Sequence, residues 1–402
     1  MNPFTFLSPT RINFGEGTAA GIIDALAELN ASNPLIVTDA GLFANGILDP
    51  ILAEFTNAGL GSPTVYKDVP SDSDVDCVRK GIELGRAINA DSVIAVGGGS
   101  VIDTAKVINI GLSVDGDVLD FEGINNLTDP LKPLVCIPTT AGTGSEVSAV
   151  AMIKDHSTGK KLLFGSRFLY ANVAILDPSL LLSLPPRLTA ATGMDAVTHG
   201  LESYVAMTTN PMSDSLALQS LSMLFTSLPQ ATKFGDDIDA RAQTLLASTI
   251  AGVAFTNAGV GIVHALAHTL GAKFSIHHGV ANSIFLPHGL KFNIEAAAER
   301  YAQVWNYLCT AASNQTSLNE HFSDKFVAEA DPTKAAERLL DAVKTLTNLC
   351  LLPTQLREVG VPELNDSDVA DLADTAMTDP AIMFNPREAT PEDLVSIIKG
   401  AY

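Results

Sequence analysis

The stretch Ser92-Val-Ile-Ala-Val-Gly97-Gly98-Gly99-Ser100-Val-Ile-Asp103 joins an apolar run, three glycines and the start of a helical pattern. It predicts a buried strand that turns sharply into a helix. Glycines let a backbone approach a ligand closely, and a helix N-terminus favours an anion such as pyrophosphate. The stretch matches neither the Gly-x-Gly-x-x-Gly pattern nor the P-loop. The alternative interpretation is a tight turn with Ser100 as N-cap and Asp103 completing a capping box.

Short apolar strands alternate with amphipathic helices on both sides of this turn. Such alternation is typical of a parallel sheet that is covered by helices on both faces. The predicted strands are 11–14, 35–38, 64–66, 92–96, 134–137, 149–153, 161–164 and 173–176, and the predicted helices are 19–29, 42–58, 74–89 and 101–111.

The pattern changes at Leu184-Pro185-Pro186, beyond which almost only helical periodicity remains. A chain of 402 residues is too long for one ordinary core, so two domains are expected. We expect an α/β domain at 1–184 and an all-helical domain at 185–402. Proline and aspartate interrupt 353–390. The helices predicted in the second domain are 188–207, 211–227, 238–256, 258–271, 294–309, 335–349 and 391–399.

Composition excludes several classes of partner. The net charge of −21 opposes binding to nucleic acid, which needs a basic face for phosphate. No apolar run reaches the roughly eighteen residues of a membrane span, and the first residues lack a basic flank before an apolar segment. The four cysteines lie far apart without a Cys-x-x-Cys pair, which predicts inert buried thiols. We therefore expect a cytoplasmic protein with no membrane partner.

Two further polar loops follow predicted strands at the edge where open α/β sheets bind ligands. In Thr38-Asp39-Ala40-Gly41 the carboxylate of Asp39 is placed to bind both adenosine ribose hydroxyls and to repel a 2′-phosphate. This predicts NAD rather than NADP, with a simple turn aspartate as the alternative. The loop Pro138-Thr-Thr-Ala-Gly-Thr-Gly-Ser-Glu146 is rich in hydroxyl groups and small residues and can line a nucleotide. A flexible surface loop is its alternative.

Histidines concentrate in the second half, where four of the eight lie between His264 and His278. His264 and His268 are four residues apart, so on a helix both imidazoles project from one face. Asp195 and His199 form a second pair with the same spacing. Together they predict a metal site between two helices, and hydrogen-bonded core histidines are the alternative for any single one.

These motifs occur together in a recognisable order. They are Gly97-Gly-Gly-Ser100, the loop 138–146, Gly193-Met-Asp195-Ala-Val-Thr-His199, Ala254-Phe-Thr-Asn257, His264-Ala-Leu-Ala-His268-Thr-Leu-Gly271 and His278-Gly-Val-Ala-Asn282. Over essentially its whole length the sequence resembles the iron-containing (group III) alcohol dehydrogenases. The resemblance implies a dehydroquinate synthase-like fold, with an N-terminal Rossmann-like parallel-sheet domain and a C-terminal helical domain. It also implies an active site in the cleft between the domains, and commonly a homodimer.

The resemblance implies specific roles for the histidine cluster. The implied metal ligands are Asp195, His199, His264 and His278. His268, which spacing alone selects as a ligand, is implied to lie near nicotinamide and substrate without binding the metal. We hypothesise that His268 is a catalytic residue that relays the released proton. Three imidazoles and a carboxylate suit Fe²⁺ or Zn²⁺, and the resemblance favours iron.

The resemblance also implies where NAD and substrate bind. Phe255 corresponds to a residue that shapes the substrate pocket, and His277 is left without a role. The implied function is hydride transfer between a small alcohol or aldehyde and NAD(H), in which a divalent ion polarises the reacting oxygen. The implied cofactor-binding residues are Asp39, Gly98, Gly99, Ser100, Thr139, Thr140, Thr143 and Lys161.

Three other functions compete with this prediction. An NAD-using lyase or cyclase of the dehydroquinate synthase type shares the fold. A metallohydrolase is disfavoured because His264-Ala-Leu-Ala-His268 has alanine where His-Glu-x-x-His places the general-base glutamate. A non-catalytic metal-binding protein leaves the three nucleotide-binding loops unexplained.

Overall fold

The computed structural model describes residues 3–157, 160–314, 322 and 326–402. The chain forms two compact units, and the first contains Ser8–Ser183. The second contains Leu184–Tyr402 together with the described residues up to Leu7. The backbone N–H of Leu7 donates to Asn257 Oδ1 at 2.8 Å, and Asn257 Nδ2 donates to the carbonyl of Leu7 at 3.0 Å. These first residues therefore group with the helical unit, whereas the sequence had placed them with the α/β unit.

The first unit is built on a six-stranded, entirely parallel sheet. The strands of the whole unit, in chain order, are β1 (Arg11–Phe14), β2 (Pro34–Val37), β3 (Thr64–Tyr66), β4 (Ser92–Gly97), β5 (Gly123–Ile124), β6 (Leu134–Pro138), β7 (Val150–Asp155), β8 (Lys160–Gly165) and β9 (Val173–Leu176). The order in the parallel sheet is β1-β9-β6-β4-β2-β3. Strands β5, β8 and β7 form a separate small sheet in which β7 and β8 are antiparallel.

The central strands of this sheet are apolar because both faces are covered. Every residue of β2, β4 and β6 is buried. Strand β4 lies between β2, with Ile36 opposite Ile94, and β6, with Ala95 opposite Cys136. Because parallel strands end at one edge, the loops after these three strands lie side by side.

The helices of the first unit follow the predicted alternation, with one correction. They are α1 (Ile22–Glu28), α2 (Ala40–Ala44), α3 (Asp49–Asn57), α4 (Val75–Ala87) and α5 (Gly99–Ser113). The single helix predicted for 42–58 is wrong, since α2 and α3 are separate. Gly46 lies between them with a φ of 71°, a left-handed conformation that ends a helix and that glycine adopts at little cost.

The second unit is helical, which confirms the predicted fold class. Its helices are α6 (Pro186–Val205), α7 (Pro211–Lys233), α8 (Ile238–Thr256), α9 (Ile262–Phe274), α10 (His278–Asn314), α11 (Pro332–Leu349), α12 (Asp366–Met377) and α13 (Pro391–Ala401). Helix α10 starts sixteen residues before the predicted 294, with Pro287 inside it, and is kinked at Ala297, whose φ of −127° is not helical. Helix α12 was not predicted. No helix in the described ranges is long and apolar enough to cross a membrane.

Helix α6 is the central element of the helical unit, and α10 packs closely against it. Every residue from Thr189 to Val205 is buried. At the first turn of α10, a Cβ added to Gly279 would lie 2.1 Å from the carbonyl oxygen of Ala191. Only glycine allows this approach, so Gly279 sets the position of His278 relative to α6.

The Gly279→Ala variant is expected to lose about 1–3 kcal/mol of unfolding free energy, because its Cβ meets a backbone carbonyl. Urea denaturation would measure this loss. The matched control is Gly400→Ala in α13, whose Cβ meets His288 Nδ1 at an ordinary 3.4 Å. Helix propensity predicts that this control is as stable as the parent or more stable. Equal stability of the two variants would contradict the close contact between α6 and α10.

Candidate functional site

Helix α6 presents three titratable side chains on one face. Asp195, His199 and Glu202 are spaced four and three residues apart, so they align along the helix. All three are buried. The sequence analysis identified the first two but missed Glu202. The same helical spacing, extended by three residues beyond His199, would have pointed to it.

Side chains from elsewhere in the helical unit fix the start of α9. Its N-cap, Gly261, provides no capping side chain. Instead, Glu202 Oε1 accepts the N–H of Val263 at 2.7 Å, and Asn385 Oδ1 accepts the preceding N–H of the same turn at 3.2 Å. A Cβ at Gly261 would lie 2.7 Å from Asn385 Oδ1, so glycine is required here. Helix α9 therefore starts at a fixed position relative to α6, which places His264.

Three of the predicted ligands lie together in the interior. Single ligand atoms of Asp195, His199 and His264 lie within 4.8 Å of one another. His264 Nδ1 is 2.5 Å from Glu202 Oε2. Because a carboxylate accepts hydrogen bonds, this contact assigns a proton to Nδ1 and turns Nε2 toward Asp195. Nε2 lies 3.7 Å from Asp195 Oδ1.

The fourth predicted ligand, His278, is the first residue of α10. Its Nε2 lies 3.4 Å from Asp195 Oδ1, and its side chain is 31 % exposed. Its ring centroid is 5.4 Å from that of His264. The structure therefore brings all four predicted side chains to one place, while their role as metal ligands stays a prediction.

The electrostatics of this cluster favour a cation. Burial raises the pKa of Asp195, but His199, His278 and His264 outweigh that effect and hold it far below the usual range. Burial lowers the pKa of His264, while Asp195 and Glu202 together raise it to about 9. Buried carboxylates thus draw positive charge into the site. Three imidazole nitrogens and one carboxylate are a donor set that fits Fe²⁺ or Zn²⁺.

Phe255, predicted to shape the substrate pocket, lies next to this cluster. Its ring stacks on His199 with centroids 4.3 Å apart and an interplanar angle of 19°. His199 in turn stacks on His264 at 4.7 Å. The aromatic ring of Phe255 therefore restricts the orientation of the His199 imidazole.

His268 lies one helical turn beyond His264 and has a different partner. Its Nδ1 is 2.8 Å from Asp379 Oδ2, and its side chain is 21 % exposed. The other oxygen of Asp379 accepts the N–H of Ala381 at 2.9 Å, which caps a short 3₁₀ helix. Burial raises the pKa of Asp379, but His268 brings it below its usual value. The sequence showed Asp379 only as an aspartate before a proline, which indicates a turn rather than a histidine partner.

The glycine turn of the α/β unit is not a capping box. Gly98 is the N-cap of α5, and no side chain caps that helix. Ser100 Oγ instead donates to the carbonyl of Ser71 at 2.6 Å. Asp103 accepts from Ser145 Oγ and from a backbone N–H of β7, both at 2.9 Å. The capping-box alternative is therefore wrong, and no side chain caps the N-terminus of α5.

The glycine turn (97–100) contacts the loop 138–146, which we call the threonine loop. A Cβ at Gly99 would lie 2.6 Å from Thr143 Cγ2, and one at Gly98 would lie 3.2 Å from Thr140. The N–H of Thr139 donates to the carbonyl of Gly97 at 3.1 Å, which continues the pairing of β4 and β6. The uncapped N-terminus of α5 and the threonine loop packed against it form a cradle that fits the pyrophosphate of a dinucleotide.

The other two predicted cofactor residues have partners within the chain. Asp39 is the N-cap of α2, and its Oδ1 accepts the N–H of Leu42 at 2.9 Å. Its place after β2 puts it at the same sheet edge as the glycine turn. Lys161 comes from the small sheet, where its Nζ lies 3.4 Å from Asp72 Oδ1. Lys154 lies 2.9 Å from the other oxygen of Asp72.

A fully buried lysine, which the sequence analysis did not single out, connects these loops. Lys106 on α5 donates from Nζ to the carbonyl oxygens of Ser148 and Val150, each at 2.8 Å. Asp103, one turn earlier, binds Ser145. The same helix that begins at the glycine turn is thus fastened to the far end of the threonine loop. A lysine within a largely apolar helical segment was the available signal.

Comparisons with known proteins agree along the whole chain. Residues 9–178 match the family model for iron-containing alcohol dehydrogenase, and residues 189–402 match the C-terminal model of the Fe-containing alcohol dehydrogenase family. The chain is 35 % identical over 396 residues to an NAD-dependent methanol dehydrogenase of Bacillus methanolicus, with 98 % of this chain and 99 % of the relative covered. It is 34 % identical over 401 residues to a 1,3-propanediol dehydrogenase of Citrobacter freundii, with 99 % of each covered. A crystal structure of a 1,3-propanediol oxidoreductase superposes with a TM-score of 0.91 at 32 % identity and full coverage of both chains. The chain therefore belongs to the iron-containing alcohol dehydrogenase family.

Proposed function

We propose that this protein is a metal-dependent alcohol dehydrogenase or aldehyde reductase that transfers a hydride between a small alcohol or aldehyde and NAD(H). The observation that carries the proposal is the buried group formed by Asp195, His199 and His264. Membership of the family favours this activity over the lyase and metallohydrolase alternatives. The relatives that act on methanol and 1,3-propanediol support a small, uncharged substrate.

The proposed metal ligands are Asp195, His199, His264 and His278. When bound there, a divalent ion supplies Lewis-acid chemistry toward the alcohol or carbonyl oxygen. Glu202 holds the Nδ1 proton of His264, so that Nε2 is the atom available to the metal. Burial of Asp195 and His264 excludes water from most of the site.

The proposed cofactor site is the carboxyl edge of the parallel sheet. The first turn of α5 offers N–H groups to the pyrophosphate, and the threonine loop lines the same cradle. Asp39 binds the adenosine ribose and thereby favours NAD over NADP. Lys161, held by Asp72, provides a cation for an oxygen of the cofactor. The proposed residues are Asp39, Gly98, Gly99, Ser100, Thr139, Thr140, Thr143 and Lys161.

His268 is proposed to carry the proton that the alcohol releases. Asp379 accepts from Nδ1, which leaves Nε2 as the nitrogen that exchanges protons. The partly exposed ring connects the interior to solvent. Phe255, stacked on His199, provides an apolar wall for the carbon atoms of the substrate.

We also propose that the protein is a cytoplasmic homodimer. Strand β1 is an edge of the parallel sheet and exposes Ile12 by 39 % and Phe14 by 42 %. An edge strand with apolar side chains is suited to pairing with a second copy. Free, buried cysteines suit a reducing compartment. A solution mass of 42.1 kDa by light scattering would contradict the dimer.

The proposed activity is tested by metal removal and reloading. Chelator-treated protein is expected to lose reduction of small aldehydes by NADH, followed at 340 nm, and to regain it with Fe²⁺ or Zn²⁺. NADH is expected to be used better than NADPH, because Asp39 repels a 2′-phosphate. A preference for NADPH would refute the role of Asp39. Substrate turnover without net NADH consumption would favour the lyase.

The Glu202→Gln variant is expected to bind Zn²⁺ roughly 10–100-fold more weakly, because a neutral amide replaces the carboxylate that orients His264. Its amide oxygen still accepts the N–H of Val263, so the fold should be retained. Competition with a chromophoric chelator would measure the affinity. Glu337→Gln, on an exposed part of α11, is the control and should leave the affinity unchanged. Parent-like affinity in Glu202→Gln would show that Glu202 does not support the metal.

The His268→Ala variant is expected to lower kcat about 100-fold, since it removes a general acid–base group, while Zn²⁺ affinity stays the same. Asp379→Asn should cause a smaller loss, because the imidazole remains but its orientation is less restricted. The measurement is kcat as a function of pH for both variants. Unchanged turnover of His268→Ala at every pH would rule out the relay.

A further inference from the structure

We infer that Asn282 is a positioning residue of the metal centre, which holds the carboxylate of Asp195 in the orientation that binds the ion. The inference rests on the proposed function, because it takes Asp195 as a ligand. It adds a residue that acts on this ligand through a hydrogen bond.

The amide nitrogen of Asn282 reaches a ligand on each of three helices. Nδ2 lies 2.6 Å from Asp195 Oδ1 on α6, 3.3 Å from His264 Nε2 on α9 and 3.1 Å from His278 Nε2 on α10. Each Nε2 has one lone pair, which a bound ion would take, so the hydrogen bond to Asp195 is the one that Asn282 would keep in the occupied site. The short contact to the carboxylate is the strongest, because an ionised acceptor strengthens a hydrogen bond.

The orientation of this amide is decided by the ligands. Asn282 is fully buried, and its Oδ1 has no hydrogen-bond partner among the described residues. A buried acceptor without a partner is unfavourable. Rotating the amide would instead place Oδ1 against the carboxylate oxygen of Asp195, so that two acceptors face each other. The amide thus leaves one polar atom unsatisfied while an N–H group is directed toward Asp195.

The backbone holds this amide in place. Asn282 is four residues after His278, so both side chains project from the same face of α10. Gly279 fixes that turn against α6 through its approach to Ala191. The carboxylate of Asp195 can otherwise rotate about its side-chain bonds, and the hydrogen bond from Asn282 selects one orientation. Groups that orient metal ligands in this way typically account for 10–100-fold in affinity.

The test compares Asn282→Leu and Asn282→Ala with the parent, using metal-stripped full-length protein titrated with Co²⁺ against a competing chelator. Leucine keeps the number and branching of the side-chain heavy atoms of asparagine, removes the N–H donors and also removes the unsatisfied oxygen. Asn282→Leu should therefore stay folded while its Kd for Co²⁺ rises about 10–100-fold. The visible absorption of bound Co²⁺ should also change, because the ligands are less well oriented. The Kd of Asn282→Ala for Co²⁺ should also rise.

The matched control is Asn109→Leu, which replaces a buried asparagine of α5 that donates to the carbonyl of Lys132. Its Co²⁺ affinity and spectrum should equal those of the parent. If both Asn282 variants bind Co²⁺ within twofold of the parent with the same spectrum, the role of Asn282 is refuted. The same holds if Asn109→Leu loses as much affinity. Failure of the parent itself to bind Co²⁺ would instead refute the proposed metal centre.

Discussion

The carboxylate of Glu202 accepts two hydrogen bonds, and the arrangement of the helical unit around the cluster depends on them. One comes from the N–H of Val263 and fixes where α9 begins. The other comes from Nδ1 of His264 and fixes which ring nitrogen faces Asp195. A single buried side chain therefore sets both a backbone position and a tautomer. Because both bonds are made by the same carboxylate, a change in the packing of α9 on α6 would also disturb the hydrogen bond that orients the imidazole of His264.

The α/β unit uses buried polar groups in a comparable way. Lys106 and Asp103 lie one turn apart on α5 and bind residues at the far end of the threonine loop. The near end of that loop touches Gly98 and Gly99. The loop is thus held between the first turn of α5 and its second, which restricts the shape of the cradle. Burying a charged group in an apolar interior costs free energy unless the group is hydrogen-bonded. Here the hydrogen bonds of Lys106 and Asp103 also hold the loop at the sheet edge that is proposed to bind the cofactor.

Much of the architecture was predictable from local pattern. Apolar runs gave the strands of the parallel sheet, and the change at Leu184 gave the start of the helical half. The errors arose at glycine and proline residues, which occur both within helices and at their ends. Gly46 ended a helix that composition extended through it, and Pro287 concealed the first half of α10. Strands β7 and β8 read like members of the main sheet, since pairing direction has no local signature.

The candidate site was predictable only in part, for a related reason. Motif resemblance supplied Asp195, His199, His264 and His278, which the structure brings together. Glu202, Asp379 and Asn282 act through partners that lie 62, 111 and 87 residues away in sequence. Such pairs become visible only after helices have packed. His268 illustrates the limit of spacing, because its position on α9 matches a ligand while its Nδ1 has Asp379 as a hydrogen-bond partner.

The contact between Leu7 and Asn257 has a consequence for the continuity of the chain. It joins positions 250 residues apart and makes the helical unit discontinuous, with the α/β unit inserted between its two segments. During synthesis the leading segment emerges first, yet its partner Asn257, directly after α8, appears only after the whole α/β unit has been made. One cut in the chain therefore cannot release the helical unit as a complete, independent piece.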